Sequence, residues 1–501
     1  MKLIVTEDKK YLRVAQAEEI ELEQLTFSMK KRIRGWFYNP LVKKKLWDGY
    51  VHFCKNSFIP IGLWSEVVKL GETYGFPVDI QGLERIIDTE YDEQDFKNWV
   101  EEFFSDHPKY KPRDYQIESA SAIIKHRLCT SEIATSAGKT LITFLVFGYL
   151  KSRNKLRKML VIVPNTTLVM QLKDDWEEYN NDKMDLKIRQ VYGGAKDNDP
   201  NAIVVVGTFQ SLTKKTLDYF KGIDVVFVDE CHQTKTVSVK NVIDKCKDSE
   251  YRFGLSGTVQ EDNSADFVTI VALLGPMVKS IPPKFLFTEG YATPVNFKMM
   301  VLTYSNRDLC EKLYDVRKNR QMEGSQILAL EKNVVIKHRG RFNFIMDLLS
   351  KTSKNTLVLF SNVKDQYGKR MYDWLRENTD KECFYVDGSV SKEHRDFYKR
   401  SMEEGENRIL IASFTTFSTG ISIKNIHNIV FTESYKSEII VKQSIGRGMR
   451  QLEGKESFTI IDIVDDLTWE KSSNFLYKHA KARLEFYKQY SSSIKIHKIS
   501  L

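Results

Sequence analysis

Gly138-Lys139-Thr140 is the residue group in this chain that points most directly to chemistry. It lies in "EIATSAGKTLIT", residues 132–143, and matches the end of the phosphate-loop pattern G-x-x-x-x-G-K-[ST]. Ser136, Ala137 and Gly138 are small, so their backbone N–H groups can approach phosphate oxygens. With Thr135 they form the candidate loop. A helix starting at the lysine would add the favourable field of its N-terminus. Lys139 could reach β- and γ-phosphates, and Thr140 could hold Mg²⁺. The pattern is incomplete, because Ile133 stands where the first glycine is expected. Taken alone, the three residues could be a chance order.

A second constellation is "VVFVDECH". Val225–Val228 read as a strand that delivers Asp229 and Glu230 at its C-terminal end, the edge of a parallel sheet where ligands bind. One acid there can hold Mg²⁺ and the other can activate an attacking water. The bland reading is an acidic turn after a core strand. The third is "QSIGRGMRQ", residues 443–451. Arg447 and Arg450 are three apart and would share a helix face, where they could stabilise charge during phosphoryl transfer. A solvated basic helix end is the alternative.

These groups need a scaffold, and the chain supplies a repeating one. Apolar runs "KMLVIVP", "AIVVVGT", "DVVFVDE", "RFGLSGT", "TLVLFS", "CFYVDG", "RILIAS", "NIVFTE" and "FTIIDIV" alternate with helical patterns such as "TTLVMQLKDDWEEYN" and "DQYGKRMYDWLREN". Continuous Val/Ile-rich runs predict strands covered on both faces, and strand–helix alternation predicts parallel sheets. The alternation pauses at Ile281–Lys337, where "IPPKFLFTEGYATPVNFKM" reads as a crossing segment. The expected fold class is α/β, with two tandem parallel-sheet domains after a small N-terminal α+β domain. The expected boundaries are 1–104, 105–285 and 286–501.

The N-terminal part differs in composition. Leu25–Pro60 carries eight Lys/Arg against one acid, interleaved with Phe27, Trp36, Phe37, Tyr38, Trp47, Tyr50, Phe53 and Phe58. Lysines on phosphates and an aromatic on a base would make this a nucleic-acid module, with Lys43, Lys44 and Lys45 as its densest contact. Core aromatics under a solvated basic face are the alternative. Trp47-Asp48-Gly49 predicts a turn into a strand, with Trp47 buried. Glu84–Asp106 reverses the balance, with nine acids against Arg85 and Lys97, and reads as a helical connector. The net charge of +9 permits a polyanionic partner without requiring one. The six cysteines form no C-x-x-C pair, which excludes the usual zinc and redox motifs. The N-terminus lacks a signal-peptide pattern and the longest apolar run is too short to span a bilayer, so the chain reads as cytoplasmic, with no membrane partner.

The motifs and their order resemble the superfamily 2 helicases and translocases. "RDYQ" (113–116) resembles the Q motif and "TSAGKT" motif I, which in that superfamily often lacks the early glycine. "VIVPNTTLVMQ" resembles motif Ia, "VVGTFQSL" Ib, "VDECH" II and "LSGT" III; "LVLFSN" resembles IV, "IASFTTFSTGISI" V and "QSIGRGMR" VI. The resemblance covers about residues 108–465. The N-terminal "FYNPLVKKKLWDGYVHF…FIPIGLW" is similar to the recombination helicases of T4-like phages.

The resemblance implies two RecA-like domains that bind ATP and Mg²⁺ between them. Gln116, with Arg113, would read adenine; Gly420 and Gln443 would complete the nucleotide site. Lys139, Asp229, Glu230, Arg447 and Arg450 would do the chemistry, with Thr140 and Asp229 on the metal. His232, Gln443, Ser256 and Thr258 would couple the site to a groove where Pro164, Thr208, Gln210, Ser361 and Thr415 touch DNA. Implied partners are branched and single-stranded DNA, RNA–DNA hybrids, and recombination or single-strand-binding proteins. An RNA helicase, a restriction-enzyme motor subunit and an inactive ATP-gated binding module remain alternatives. No motif is matched after about residue 465.

Overall fold

The computed structural model describes the chain except residues 34, 196–198, 233–235, 258–263, 319–321, 364, 415, 417–422, 436–440, 442–443, 447, 450–451 and 492, and the side chains at 236, 237 and 392. The described residues form two units, Met1–Ile281 and Pro282–Leu501.

The first unit begins with a small α+β part. Strands β1 (Lys2–Val5), β2 (Tyr11–Gln16), β5 (Phe58–Pro60) and β6 (Asp79–Gln81) form a sheet ordered β5-β2-β1-β6. β3 (Lys30–Arg32) and β4 (Tyr50–His52) pair antiparallel beside it. Leu3, Leu12, Leu25, Ile59, Leu63 and Val67 share one core with Leu128, Val268, Val271 and Ala272, so this part is fused to the α/β layer behind it. Gly62 marks the closest approach: a Cβ there would lie 2.1 Å from the Val271 carbonyl oxygen, so a larger residue would push the backbones apart.

Seven parallel strands follow: β7 (Leu128–Ile133), β8 (Met159–Val163), β9 (Ile188–Val191), β10 (Val204–Thr208), β11 (Val225–Asp229), β12 (Tyr251–Ser256) and β13 (Met277–Ile281). Their order is β13-β7-β12-β11-β8-β10-β9. Every residue of β8, β10 and β12 is buried, the pattern of strands with helices on both faces. Parallel pairing puts Ile133, Val163, Thr208, Asp229 and Ser256 on one edge, the C-terminal one.

The acidic stretch is no free connector. Asp92 caps the helix Glu93–Phe104, whose Phe96, Trp99, Val100, Phe103 and Phe104 are buried at helical spacing. Phe96 and Phe103 pack 5.1 and 5.9 Å, centroid to centroid, from Tyr149 and Phe144 of the helix Lys139–Ser152. Asp95 receives two hydrogen bonds from Arg153, at 2.6 and 2.8 Å. The surface charge hid an apolar face that docks on the phosphate-loop helix itself.

The second unit holds β14 (Val295–Thr303), β15 (Thr356–Phe360), β16 (Cys383–Val386), β17 (Ile409–Ser413), β18 (Asn428–Phe431), β19 (Phe458–Asp466) and β20 (Ile494–Ser500). All are parallel, in the order β16-β17-β15-β18-β19-β14-β20. The tandem RecA-like architecture is therefore present, and all nine strand-like runs are strands. The crossing segment differs from expectation, because its last five residues, Val295–Met299, already belong to β14, whose burial alternates along most of its length. The unmatched tail is also structural. Its helix Phe475–Tyr487 packs on β19, and β20 pairs with β14 along seven residues.

Candidate active site

The phosphate loop joins β7 to the helix Lys139–Ser152. Ile133 is the last residue of β7, fully buried and paired with Ile281 of β13. The strand still runs where the usual pattern has its first glycine, so no special backbone freedom is needed there. The left-handed turns fall later, at Ser136 (φ +70°) and Gly138 (φ +83°). Glycine suits position 138: its φ is positive, and a Cβ would lie 2.3 Å from Gln116 Nε2, so that amide would have to move.

Two side chains from the helix Asp114–His126 hold the loop. Gln116 Nε2 and the Tyr115 hydroxyl each donate to the Ala137 carbonyl at 2.9 Å. Gln116 Oε1 accepts from the Arg113 backbone N–H at 2.9 Å, which also caps that helix. An amide has two N–H donors and two oxygen lone pairs, so Gln116 keeps capacity for a further partner. Tyr115 is the loop contact that pattern reading missed; its signal was a tyrosine beside the glutamine.

Lys139 Nζ donates to Glu230 Oε1 at 3.0 Å, and both side chains are largely buried. Asp229, at the end of β11, accepts the Glu230 backbone N–H at 3.0 Å, and Glu230 itself has a positive φ of +48°. Burial and the neighbouring Glu230 charge push the Asp229 carboxyl up to about 7. Burial alone would also raise Glu230, but the Lys139 ammonium and His232 hold it below the usual carboxylate value. His232 Nδ1 pairs with Ser256 Oγ and lies 3.5 Å from Glu230 Oε2, which joins the acidic pair to the end of β12.

The donor set fits a Mg–nucleotide. Mg²⁺ is bound through one or two carboxylates plus substrate phosphates, and Asp229 with Thr140 supplies that chemistry. Among the described residues no group of three or more His, Cys, Asp or Glu could hold a metal by itself. Lys139 and the Ser136–Gly138 backbone would meet phosphate, and Thr135 lines the same loop beside Gly257.

Other expected residues divide. Pro164, Thr208 and Gln210 lie on the C-terminal edge at β8 and β10; Gln210 is exposed, while Thr208 is buried and donates to Ser211 at 3.1 Å. Ser361 follows β15 and is exposed, yet its hydroxyl and backbone N–H donate to the buried Glu433, at 2.6 and 2.8 Å. Glu433 was legible as an acid ending the run "NIVFTE", the pattern that singled out Asp229 and Glu230. Lys43, Lys44 and Lys45 are exposed. Trp47 is half-buried rather than buried, with Nε1 donating to the Tyr50 carbonyl at 2.9 Å. Thr258, Thr415, Gly420, Gln443, Arg447 and Arg450 lie outside the described residues.

Two seven-stranded parallel sheets, with a GKT loop and an Asp-Glu pair on one edge of the first, are the layout expected of a superfamily 2 helicase. The chain is 30% identical to the ATP-dependent DNA helicase UvsW of Enterobacteria phage T4, over 96% of either chain. It belongs to the UvsW family of ATP-dependent DNA helicases. The crystal structure of T4 UvsW superposes with a TM-score of 0.50 and 25% identity, covering 100% of this chain and 99% of that one. Residues 109–261 match the family of the type III restriction enzyme res subunit, and 340–451 the helicase conserved C-terminal domain. A more distant relative is the DNA 3'-5' translocase XPB2 of Sulfurisphaera tokodaii, 21% identical over 71% of this chain and 82% of that protein. Among the described residues no helix is long and apolar enough to cross a membrane.

Proposed function

We propose that the chain is an ATP-driven motor that remodels branched DNA, by Holliday-junction branch migration, fork regression and R-loop unwinding, in phage recombination, repair and replication. The observation that carries it is the likeness to UvsW over nearly the whole chain, including the basic N-terminal part that motor domains alone do not need. On this reading, residues 1–104 recognise substrate, 105–285 bind ATP and 286–501 form the second motor domain. The protein works in the host cytoplasm, with recombination or single-strand-binding proteins as further partners.

ATP binds against Thr135–Thr140, with Gln116 and Arg113 on the adenine. The triphosphate takes over Lys139, which releases Glu230 from its ion pair to act as general base on the attacking water. Mg²⁺, held by Thr140 and Asp229, neutralises phosphate charge when bound. Arg447 and Arg450 stabilise the charge that develops on the transferred phosphoryl group. Gly420 and Gln443 complete the nucleotide contacts. On this reading His232, paired with Ser256, passes the state of Glu230 to the phosphate contacts, which are Pro164, Gln210 and, once its hydroxyl leaves Ser211, Thr208 in the first unit, and Ser361 and Thr415 in the second. For Ser361 this means exchanging the Glu433 carboxylate for a phosphate. Such contacts carry no sequence information.

The test is ATPase stimulation by a panel of four-way, forked, RNA–DNA hybrid and duplex-RNA substrates. Stimulation strongest on branched DNA is expected. Stimulation by duplex RNA with none by DNA would make the protein an RNA helicase instead.

A further inference from the structure

Between Trp36 and Asp48 no residue is buried, although the segment is ordered by hydrogen bonds. Phe37 is 51% exposed, Tyr38 72%, Leu41 50% and Leu46 73%. The segment is an arm between β3 and β4 whose rings contribute to no core. Its root is firmly seated. Trp36 packs on Gly49, where a Cβ would lie 3.0 Å from Trp36 Cβ. The Arg32 guanidinium sits 4.2 Å from the Trp36 ring and 4.5 Å from the Tyr50 ring. Asn39 caps the short helix Pro40–Lys43, and the Leu46 N–H returns to the Leu41 carbonyl at 2.9 Å. Phe37 and Tyr38 follow that root directly and stand side by side, centroids 4.2 Å apart.

Charge selects the occupant. From Lys30 to Lys45 the sequence has seven Lys/Arg and no acid, and Lys43, Lys44 and Lys45 are all exposed. Exposed π-faces beside a dense run of cations are what single-stranded nucleic acid binds, since bases stack on rings while phosphates meet lysines. A paired duplex hides its base faces, so the rings gain nothing from it. We propose that the arm is a base-stacking platform, with Phe37 and Tyr38 stacking on unpaired bases at a DNA branch point while Lys43, Lys44 and Lys45 hold the flanking phosphates. The proposal rests on the DNA-motor reading and adds the structural feature of the branch that is recognised. A preseated arm loses little freedom on binding, which favours this use.

The experiment compares full-length protein and its Phe37→Ala/Tyr38→Ala variant on three DNAs: a fork with unpaired bases, the same fork with abasic residues at those positions, and a fully paired duplex. Wild type should bind the fork more tightly than the abasic fork by about five- to 150-fold per stacked base. The variant should lose that preference, bind the duplex as wild type does, and keep the salt dependence of binding. Phe37→Trp/Tyr38→Trp should restore it. Lys43→Ala/Lys44→Ala/Lys45→Ala should instead weaken all three complexes and lower the log–log salt slope on duplex by about 2.7. Both side chains are exposed, so the melting temperature should not move. Equal affinity of variant and wild type for the fork overturns the platform. Absence of DNA-stimulated ATPase in wild type sinks the motor reading, an outcome separable from the first.

Discussion

Lys139 and Glu230 stand 91 positions apart in the chain and meet over 3.0 Å in an ion pair. The pair ties the phosphate loop to the end of β11 and keeps Glu230 ionised despite its burial. Glu230→Gln should therefore bind Mg-ATP but hydrolyse it about 10²- to 10⁴-fold more slowly, the usual contribution of a general base. Nucleotide affinity and single-turnover rate, measured together, check this. If affinity collapsed with the rate, Glu230 would be a ligand and not the base.

Gln116 makes two hydrogen bonds within the protein and keeps capacity for a further partner, which the proposed function assigns to adenine. Gln116→Ala should remove both functions. ATP affinity should fall, and the preference for ATP over GTP should narrow. If the two nucleotides weaken equally, Gln116 only positions the loop and adenine is read elsewhere.

Arg447→Ala and Arg450→Ala should each slow hydrolysis on the order of a thousand-fold while changing ATP affinity little. Steady-state rates and nucleotide titrations distinguish the two effects. An arginine whose loss leaves the rate unchanged has no place in the chemistry.

Much of this was legible because it follows from local rules. The strands were continuous apolar runs, and the GKT and Asp-Glu groups sat at their ends. What stayed hidden depended on partners far away in sequence. Nine acids in Glu84–Asp106 masked the face carrying Phe96, Trp99 and Phe103, whose spacing matters only once the helix Lys139–Ser152 is in place. The tail after residue 465 carries no motif, and its described contacts are ones of packing and pairing. The buried Arg483 holds the buried Asp462 of β19 through two hydrogen bonds, at 2.8 and 3.0 Å, and also reaches Ser434 and the Tyr435 carbonyl. Glu331, likewise buried, accepts the Phe475 and Leu476 N–H groups at the start of the tail helix, at 3.2 and 3.1 Å. Neither tie leaves a local pattern.

The tail makes its own prediction. Arg483→Met should destabilise the second unit by about 3–5 kcal/mol, because Asp462 would be left buried without its cation. Adding Asp462→Leu should recover part of the loss, since it removes the stranded charge while taking the acceptor from the buried Tyr487 hydroxyl. Denaturant unfolding of the three proteins reads both numbers. A single-variant loss below about 1 kcal/mol would show that the pair contributes little.

In the proposed function, ATP turnover at the Lys139 loop drives remodelling of branched DNA. The direct measurement follows a four-way junction with a mobile core, comparing wild type with Lys139→Ala. Wild type should convert the junction to duplex products only with Mg-ATP, while Lys139→Ala should bind the junction with near wild-type affinity and convert none of it. Conversion by Lys139→Ala, or by wild type without ATP, would mean that the Lys139 loop does not drive the remodelling.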